Sequence, residues 1–438
     1  MRVFLHGIMS SPNSSGLEDV LTCLPGYAER ALLVARPWDV VCLHSPPDSD
    51  FLDYLRSLGV GPEPGRVVSP TAEGPTLADR LVRDKDAVAR IARLIGGRPA
   101  LLDSFYASPA EIRLARMLEA ELGRSVPTLG GPPDVALRVY YKHIVRRAAL
   151  RLGIPVAPGE VVELPTDPDG SPSDVEPLRR AVQRHLDRTG RVIVRGALGA
   201  SGCATHVINS SPGSLSSALE AVRAQNVNST FVVNVMFDLT ASPNVQFFIA
   251  PDDGAITTLA LTDQRFDRTG RYDGNIYPAP VRNAEAMVRA VRKVAAWLRD
   301  AGYRGLGGCD FCEYREPATG EIRWFLAELN ARINGATYPM ALAGHLNRRA
   351  EAQGHPTVGA FLTGSVQSTA PSFGELLEDL EGFLFRLAEA RGIVPHSAAM
   401  LPEGKFNIVV LGRTRGEVEE IHRDFCGAWE CERSRYNS

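Results

Sequence analysis

The sequence has few lysines, few cysteines and no long run of apolar residues. Four of its 48 basic side chains are lysines, so arginine is its ordinary cation. Seven cysteines in 438 residues do not make a disulfide framework, and an odd number cannot all pair internally, which favours a reducing cytoplasm. Because no apolar run reaches about 18 residues, we expect no transmembrane helix.

Charge of either sign is not in excess. The chain carries 51 acidic and 48 basic residues and a net charge of −3, which favours neither nucleic acid nor a membrane surface as a partner. Its composition, 44% hydrophobic and 23% charged, is that of a globular protein. A length of 438 residues predicts about three domains.

Several catalytic signatures are also absent. No G-x-G-x-x-G follows the first predicted strand, which weakens the alternative of a nicotinamide-dependent oxidoreductase on the N-terminal domain. The G-x-S-x-G elbow of hydrolases is missing, and the histidines make no H-E-x-x-H motif. Cys309 and Cys312 lie three apart on a predicted strand and point to opposite faces, so we interpret them as core residues rather than metal ligands.

The order of predicted elements divides the chain into three parts. Residues 1–130 alternate short strands with helices, the pattern of a doubly wound parallel sheet. In residues 131–350 a long helix over 135–152 precedes a region dominated by strands. Residues 351–438 predict a small α+β unit that includes a helix over 373–390 and a strand over 397–401. The fold class is therefore mixed, α/β followed by α+β.

A glycine-rich loop joins two predicted strands between residues 192 and 208. Gly199 and Gly202, with Ser201 between them, give its backbone the freedom to close N–H groups on phosphate oxygens. No Lys-Ser/Thr follows, so the loop is not a Walker A motif. From the residues alone, a phosphate-binding hairpin and an ordinary glycine hairpin are equally good interpretations.

Lys142 is the next candidate, in the stretch Y-Y-K-H-I-V-R-R. Where arginine is the ordinary cation, a lysine can serve as a compact point charge on a phosphate. Taken alone, a lysine on the surface of a helix is the simpler interpretation.

The stretch F-L-A-E-L-N-A-R-I-N-G contains the strongest candidate site. Alternation along a strand places Glu328, Asn330 and Arg332 on one face, and Asp310 can lie beside Glu328 on the strand that precedes it. Two carboxylates and an amide oxygen are hard ligands that suit Mg²⁺. Arg332 then offers two donors to a transferring phosphoryl group or an oxyanion. A solvated polar face is the alternative, but the apolar flanks disfavour it.

Candidate substrate contacts lie outside this strand. Gln264 and Arg265, in L-T-D-Q-R-F-D, are expected to line a pocket for a carboxylate or an acyl acceptor, although the Gly- and Asp-rich context also fits a plain loop. Gly335 ends the polar stretch and is the third candidate.

Together these motifs resemble the ATP-grasp fold. Lys142 ahead of G-I-P, the strand–loop–strand of 192–208, and D-F followed by E-L-N-A-R-I-N-G appear in the order and spacing of that family, over about residues 130–350. The preceding domain resembles a pre-ATP-grasp domain. The resemblance implies an ATP-dependent carboxylate–amine ligase in which Asp310, Glu328 and Asn330 hold two Mg²⁺ ions. Arg332 and Arg195 would be the catalytic cations.

The resemblance also implies the nucleotide contacts. Lys142 and Arg195 would bind the ATP phosphates, and the segment Gly199–Gly202 would form a lid over them. The strand 231–238 matches the hinge between two lobes, where adenine and ribose are expected to contact the residues Asn234, Val235, Met236 and Asp238. Two positions depart from the family pattern, because Arg195 stands for a common lysine and Asn234 for a common glutamate.

The three-part layout resembles ATP-grasp peptide ligases of antibiotic biosynthesis. That resemblance implies substrates in which an amino- or guanidino-acid carboxylate joins the amine of a peptide or amino acid, and it implies a homodimer. A nucleotide-binding module without catalysis is the remaining alternative. The full set of Asp310, Glu328, Asn330 and Arg332 disfavours it, since binding ATP alone does not require an arginine near the transferring phosphoryl group.

Overall fold

A computed structural model of the chain describes residues 1–10, 24–168, 171–198, 205–224, 228–267 and 272–436. The predicted lid residues Gly199, Ser201 and Gly202 lie outside these ranges. Within them, no helix combines the length and apolar character needed to cross a bilayer.

The N-terminal part is built on a five-stranded parallel sheet in the order β3-β2-β1-β4-β5. Its strands are β1 (Arg2–Leu5), β2 (Val40–Cys42), β3 (Val67–Val68), β4 (Leu101–Ser104) and β5 (Thr128–Leu129). The helices between them are the 3-10 helix Leu24–Leu33, α1 (Ser49–Ser57), α2 (Leu77–Arg83), α3 (Lys85–Ile95) and α4 (Pro109–Leu122). The strand order reverses between β1 and β4, so the predicted doubly wound sheet is confirmed. A crevice is expected beyond the carboxyl ends of these two strands.

The predicted long helix over 135–152 is wrong, because the chain breaks it into α5 (Pro133–Arg138) and α6 (Lys142–Arg151). Tyr141 is extended, with φ −76° and ψ 107°. The backbone N–H of Lys142 donates to the carbonyl of Ala197 at 3.0 Å instead of continuing a helix. This tertiary hydrogen bond places Lys142 in the first turn of α6.

A small antiparallel sheet follows, in the order β6-β9-β7-β8. Its elements are β6 (Gly159–Glu163), α7 (Glu176–Thr189), β7 (Arg191–Gly196), β8 (Thr205–Asn209), α8 (Ser214–Ala224) and β9 (Thr230–Val235). The two helices pack on the apolar face of the sheet, with Leu178, Val182 and Val222 in the same core as Val194 and Phe231. The predicted pair of strands around the glycine-rich loop is confirmed as β7 and β8.

A large antiparallel sheet carries the polar stretch. Its first strands and helix are β10 (Leu239–Ala241), β11 (Pro243–Ile249), β12 (Ile256–Phe266), β13 (Tyr272–Tyr277), α9 (Ala284–Asp300), β14 (Gly305–Arg315) and β15 (Ile322–Asn330). Helix α9 covers one face, where Met287, Val291 and Leu298 pack with Phe247. Cys309 is fully buried in this core, as expected of an apolar strand residue.

The remaining strands extend the same sheet. After α10 (Thr337–Ala352) come β16 (Ala360–Gln367), α11 (Phe373–Asp379), β17 (Gly392–His396), β18 (Lys405–Gly412) and α12 (Arg415–Tyr436). Strand β16 pairs with both β13 and β18, so the pairing continues past residue 350. The predicted domain boundaries at 130 and 350 stay predictions.

Two predictions for the C-terminal part are wrong. The helix expected over 373–390 ends at Asp379. The residues expected to form a strand over 397–401 belong to a 3-10 helix, Ala398–Glu403, and the strand is β17. Ser397 has a left-handed backbone, with φ 66°, which ends the strand just before the predicted position.

The first and last parts of the chain share one hydrophobic core. Phe4 and Phe51 of the N-terminal part belong to the same buried cluster as Phe373 and Ile408. At its edge, the carboxylate of Glu29 accepts the backbone N–H of Ala399 at 2.9 Å. The C-terminal strands therefore join the N-terminal domain and the large sheet into one body.

Gly274 in β13 generates a testable prediction. It has φ +136°, and a Cβ there would lie 2.2 Å from the carbonyl oxygen of Thr363 in β16. We expect Gly274→Ala to lower the free energy of unfolding by about 2–4 kcal/mol, because β13 must move away from β16. The matched control is Gly97→Ala, whose Cβ would meet nothing within 4 Å. Denaturant unfolding of both variants checks this, and equal stabilities would contradict it.

Candidate active site

The candidate site begins with the pairing of β14 and β15. Asp310 is the cross-strand partner of Glu328, and Gly308 is that of Asn330. A bulge separates the pairs Asp310–Glu328 and Phe311–Leu326, so Ala327 has no opposite residue. The predicted neighbourhood of Asp310 and Glu328 is thus present.

Three side-chain amides fix the orientation of the Asp310 carboxylate. Asn244 and Gln264 donate to Oδ1 at 2.6 and 2.7 Å, and Asn330 donates to Oδ2 at 2.8 Å. These donors come from β11, β12 and β15, so the carboxylate is held by three other strands of the large sheet. We call Asp310, Glu328, Asn330, Asn244 and Gln264 the carboxylate cluster.

Asn244 was missed by the sequence reasoning. The signal was available, because S-P-N-V-Q-F-F-I carries two amides in an otherwise apolar strand, as the E-L-N-A-R stretch carries its polar residues. Asn244 lies directly opposite Asp310 in the β11–β14 pairing. It is 3% exposed, and a buried amide requires a partner of this kind.

The electrostatics of the cluster favour a cation. Burial, and next the negative charge of Glu328, raise the pKa of Asp310 to about 7, although the amides of Asn244 and Asn330 and the charge of Arg332 act in the opposite direction. Two close carboxylates and an amide oxygen fit Mg²⁺, which commonly takes one or two carboxylates together with phosphate oxygens. In the described ranges no group of three or more His, Cys, Asp or Glu residues could hold a metal, so a metal site here would need the amide of Asn330 besides the two carboxylates.

Arg332 follows β15 and joins the cluster to the N-terminal sheet. Its Nη1 donates to the carbonyl of Ile333 at 3.0 Å, and its guanidinium carbon lies 5.4 Å from the centroid of the Phe105 ring. Phe105 follows β4, and its carbonyl accepts the N–H of Ile333 at 3.4 Å. Arg332 makes no ion pair with a carboxylate in the described part of the chain. Its guanidinium can therefore serve an anionic ligand.

Lys142 lies in the same electrostatic environment and not on a helix surface. It is 8% exposed, and burial is the main cause that lowers its pKa. The negative charges of Glu328 and Asp310 raise the pKa of Lys142, while Arg195 and Arg332 lower it. The structure therefore brings the predicted phosphate-binding lysine to the carboxylate cluster.

Arg195 bridges the two antiparallel sheets. Its Nη1 donates to the carbonyl of Ala327 in β15 at 3.2 Å, and its Nη2 donates to Oδ1 of Asn234 in β9 at 3.3 Å. A cleft between the sheets is lined by Lys142, Arg146, Arg195, Asn234, Leu326 and Ala327. Arg195 is thus at the position where a phosphate between the sheets would meet it.

The predicted hinge residues occupy different environments. The N–H groups of Val235 and Met236 donate to the carbonyls of Pro158 and Arg191, at 2.9 and 3.2 Å. Adenine recognition by these two groups would require those bonds to open, so this contact stays a prediction. Asp238 is on the surface, 2.7 Å from Nη1 of Arg191, and its ribose contact also stays a prediction.

Gln264 and Arg265 point to opposite faces of β12, because side chains alternate along a strand. Gln264 belongs to the carboxylate cluster. The charge of Arg265 acts elsewhere. Burial raises the pKa of Asp273, and the charge of Arg265 works against that rise. Burial lowers the pKa of His422 to about 4, and the charge of Arg265 acts in the same direction. The structure thus brings Gln264, but not Arg265, to the candidate site.

Gly335 allows a close approach between chain segments. A Cβ at this position would lie 2.5 Å from the hydroxyl of Tyr272 and 3.3 Å from Nδ2 of Asn275. Any side chain here would displace Tyr272. Gly335 therefore allows the close approach of Tyr272, and its predicted substrate contact stays a prediction.

The raised pKa of Asp310 predicts a pH dependence of stability without metal. A carboxyl whose pKa is higher in the folded state binds its proton more tightly there. Its contribution to stability is therefore present below about pH 4 and is lost as the pH rises to about 7. We expect the unfolding free energy in EDTA to fall over this window in the wild type and to fall less in Asp310→Asn. The exposed Asp252→Asn is the control, and parallel profiles for wild type and Asp310→Asn would contradict the assignment.

Comparisons with known proteins agree with this geometry. Residues 28–120 match the family model described as Pre ATP-grasp domain. The chain is 24% identical over 329 residues to the butirosin acyl-carrier protein–L-glutamate ligase of Niallia circulans, covering 74% of this chain and 68% of that protein.

Solved structures show the same architecture over nearly the whole chain. The N5-carboxyaminoimidazole ribonucleotide synthetase of Thermus thermophilus has a TM-score of 0.53 at 16% identity, with 96% of each chain covered. The biotin carboxylase of Campylobacter jejuni has a TM-score of 0.55 at 13% identity, with 95% of this chain and 88% of that chain covered. The chain therefore has the fold of these ATP-grasp enzymes, and its N-terminal part is similar to the pre-ATP-grasp domain.

Proposed function

We propose that this protein is an ATP-dependent, ADP-forming carboxylate–amine ligase. The observation that carries the proposal is the carboxylate cluster, with Arg332 beside it and Lys142 and Arg195 at the adjoining cleft. A module that only bound ATP would not need a guanidinium beside the metal ligands. The relatedness to a ligase in Niallia circulans supports the same class of reaction.

The nucleotide would lie in the cleft between the small and large sheets. Lys142 and Arg195 would contact its phosphates, because both cations line the cleft and the charges of Glu328 and Asp310 act on Lys142. The connection between β7 and β8, with Gly199, Ser201 and Gly202, would cover the phosphates. Such a cover has to exclude water, since an acyl phosphate is hydrolysed readily.

Asp310, Glu328 and Asn330 would hold two Mg²⁺ ions, which when bound neutralise charge on the phosphates. The role of the surrounding residues is positioning. Asn244 and Gln264 fix the orientation of the Asp310 carboxylate through hydrogen bonds to its Oδ1. Because these groups are buried, breaking the bonds would leave polar atoms without partners.

The reaction would proceed in two transfers. A substrate carboxylate oxygen attacks the γ-phosphorus of ATP, and the bond between that phosphorus and the oxygen bridging to the β-phosphate breaks. ADP departs, and the substrate becomes an acyl phosphate. A neutral amine then attacks the acyl carbon, Arg332 stabilises the oxyanion that forms, and inorganic phosphate departs as the nitrogen loses a proton. The products are an amide, ADP and phosphate.

The substrates would be an amino- or guanidino-acid carboxylate and the amine of a peptide or amino acid. The three-part layout resembles the peptide ligase of pheganomycin biosynthesis, and the Niallia circulans relative is named as a ligase for L-glutamate. A homodimer and a cytoplasmic location belong to the same proposal.

A screen of acid–amine pairs tests the reaction class. We expect at least one pair to give ADP and an amide, detected by ADP release and by mass. We expect Glu328→Gln to lower the rate at saturating Mg²⁺ by about 10²-fold or more, because a neutral amide weakens the metal site. Glu321→Gln, in the exposed turn of the same hairpin, is the control. AMP as the product, or full activity of Glu328→Gln, would contradict the proposal.

Arg332 gives a separate prediction for the second transfer. We expect Arg332→Gln to lower kcat by about 10²–10³-fold while leaving KM for ATP within about threefold, because its guanidinium acts on the oxyanion. Arg323→Gln, which removes an exposed guanidinium from the preceding strand β15, should change neither constant. A large rise in KM for ATP with unchanged kcat would assign Arg332 to nucleotide binding instead.

A further inference from the structure

A second arginine lies on the N-terminal side of the candidate site and has no role in the proposed chemistry. Arg30 belongs to the 3-10 helix Leu24–Leu33. Its guanidinium carbon lies 4.6 Å from the ring centroids of both Tyr27 and Tyr338, so the two rings flank it. Stacking of this kind occupies the faces of a guanidinium and leaves its N–H edge available. We call Tyr27, Arg30 and Tyr338 the Arg30 pocket.

The N–H groups of Arg30 make few hydrogen bonds within the described residues. Its Nε donates to the carbonyl of Tyr27 at 3.1 Å, and Arg30 makes no ion pair with a carboxylate in those ranges. The carboxyl of the adjacent Glu29 is turned away to accept the N–H of Ala399. The two Nη groups therefore remain as charged donors.

A buried hydroxyl in the same pocket also lacks a partner. Tyr338 is 1% exposed, and its Oη has no hydrogen-bond partner in the described part of the chain. A buried hydroxyl of this kind costs free energy unless a ligand or neighbour satisfies it. Tyr338 lies in the first turn of α10, six residues after Arg332 along the chain.

The imidazoles and phenol nearest Arg30 are neutral, and the carboxylate of Asp103 beside them is paired with Arg2 at 2.9 Å. His6 follows β1, is fully buried, and has its ring 5.7 Å from that of Tyr338. Burial lowers the pKa of His6, and it lowers the pKa of His396 to about 3; in both cases the charge of Arg30 acts in the same direction. Burial raises the pKa of Tyr338 to about 12. The pocket therefore presents one full positive charge and one hydroxyl.

The Arg30 pocket and the reacting centre share their walls. The positive charges of Arg30 and Arg332 both reach Tyr338 and Tyr272. His6 and Phe105 lie just beyond β1 and β4, at the point where the strand order reverses, which is the usual ligand crevice of such sheets. A substrate held at Arg332 could therefore extend toward Arg30.

We propose that the N–H edge of Arg30 and the hydroxyl of Tyr338 bind a non-reacting carboxylate of an amino-acid or peptide substrate. This inference rests on the proposed function, since it names a recognition element of the same site. One guanidinium and one hydroxyl match the single charge and two oxygens of a carboxylate. The carboxylate would belong either to the acyl donor or to the amine acceptor.

The test compares free amino acids with their α-carboxamides as probes. Binding is measured by calorimetry, and turnover by ADP release, for the wild type, Arg30→Gln and Tyr338→Phe. The wild type should bind at least one free acid about 10- to 100-fold more tightly than its carboxamide. Arg30→Gln should reduce this preference to about threefold or less by weakening the acid alone, and Tyr338→Phe should reduce it in part. Arg36→Gln, an exposed arginine stacked on Trp38, should keep it.

Three results would overturn the proposal. The first is a wild type that shows no preference for the free acid with any probe. The second is an Arg30→Gln variant that keeps the preference. In the third, Arg30→Gln weakens acid and carboxamide equally and lowers Tm, which would mean that Arg30 only holds the 3-10 helix against α10.

The two readouts separate this proposal from the proposed function. If the free acid binds more tightly than its carboxamide in calorimetry but no condition gives ADP release, the proposed ligase activity is refuted and the carboxylate-binding role of the Arg30 pocket stands. ADP release without a preference for the free acid would keep the ligase and refute the pocket. The KM values then show which substrate carries the recognised carboxylate. It is the substrate whose carboxamide analogue has a higher KM than the free acid.

Discussion

Everything in the candidate site depends on the pairing that sets Asp310 opposite Glu328. Burial, and next the repulsion between these two carboxylates, raise the pKa of Asp310 to about 7. Amides from Asn244, Gln264 and Asn330 hold the carboxylate in place but do not cancel its charge. In the proposed function, a cation would compensate the charge of the two carboxylates, and an anionic nucleotide would compensate the nearby Lys142, Arg195 and Arg332.

The surrounding architecture brings other charges to this pair. The break between α5 and α6 turns Lys142 toward it, and Arg195 reaches across from the small sheet. The contact of Arg332 and Ile333 with Phe105 joins the polar stretch to the end of β4. Since β16 to β18 extend the large sheet and share a core with the N-terminal domain, the proposed substrate side is enclosed by three parts of the chain.

Sequence reasoning succeeded where chemistry was concentrated locally. The alternation of Glu328 and Asn330 and the upstream Asp310 predicted the part of the carboxylate cluster that comes from β14 and β15, because these two strands form one hairpin. It failed where a distant contact decided the outcome. A hydrogen bond to Ala197 divides the helix expected over 135–152, and the left-handed backbone of Ser397 ends β17 before the strand expected over 397–401. Asn244 was overlooked, since nothing local links it to Asp310.

By itself, the sequence determined the parallel N-terminal sheet, the strand pair around the glycine-rich loop and the polar face of the E-L-N-A-R stretch, because strand period and turn residues are local properties. Only the tertiary structure decided that Lys142 is buried near Glu328, that Gln264 reaches Asp310 while Arg265 does not, and that Arg30 lies between Tyr27 and Tyr338. These outcomes depend on which strands become neighbours. Burial and charge at long sequence separation, not local pattern, control that choice.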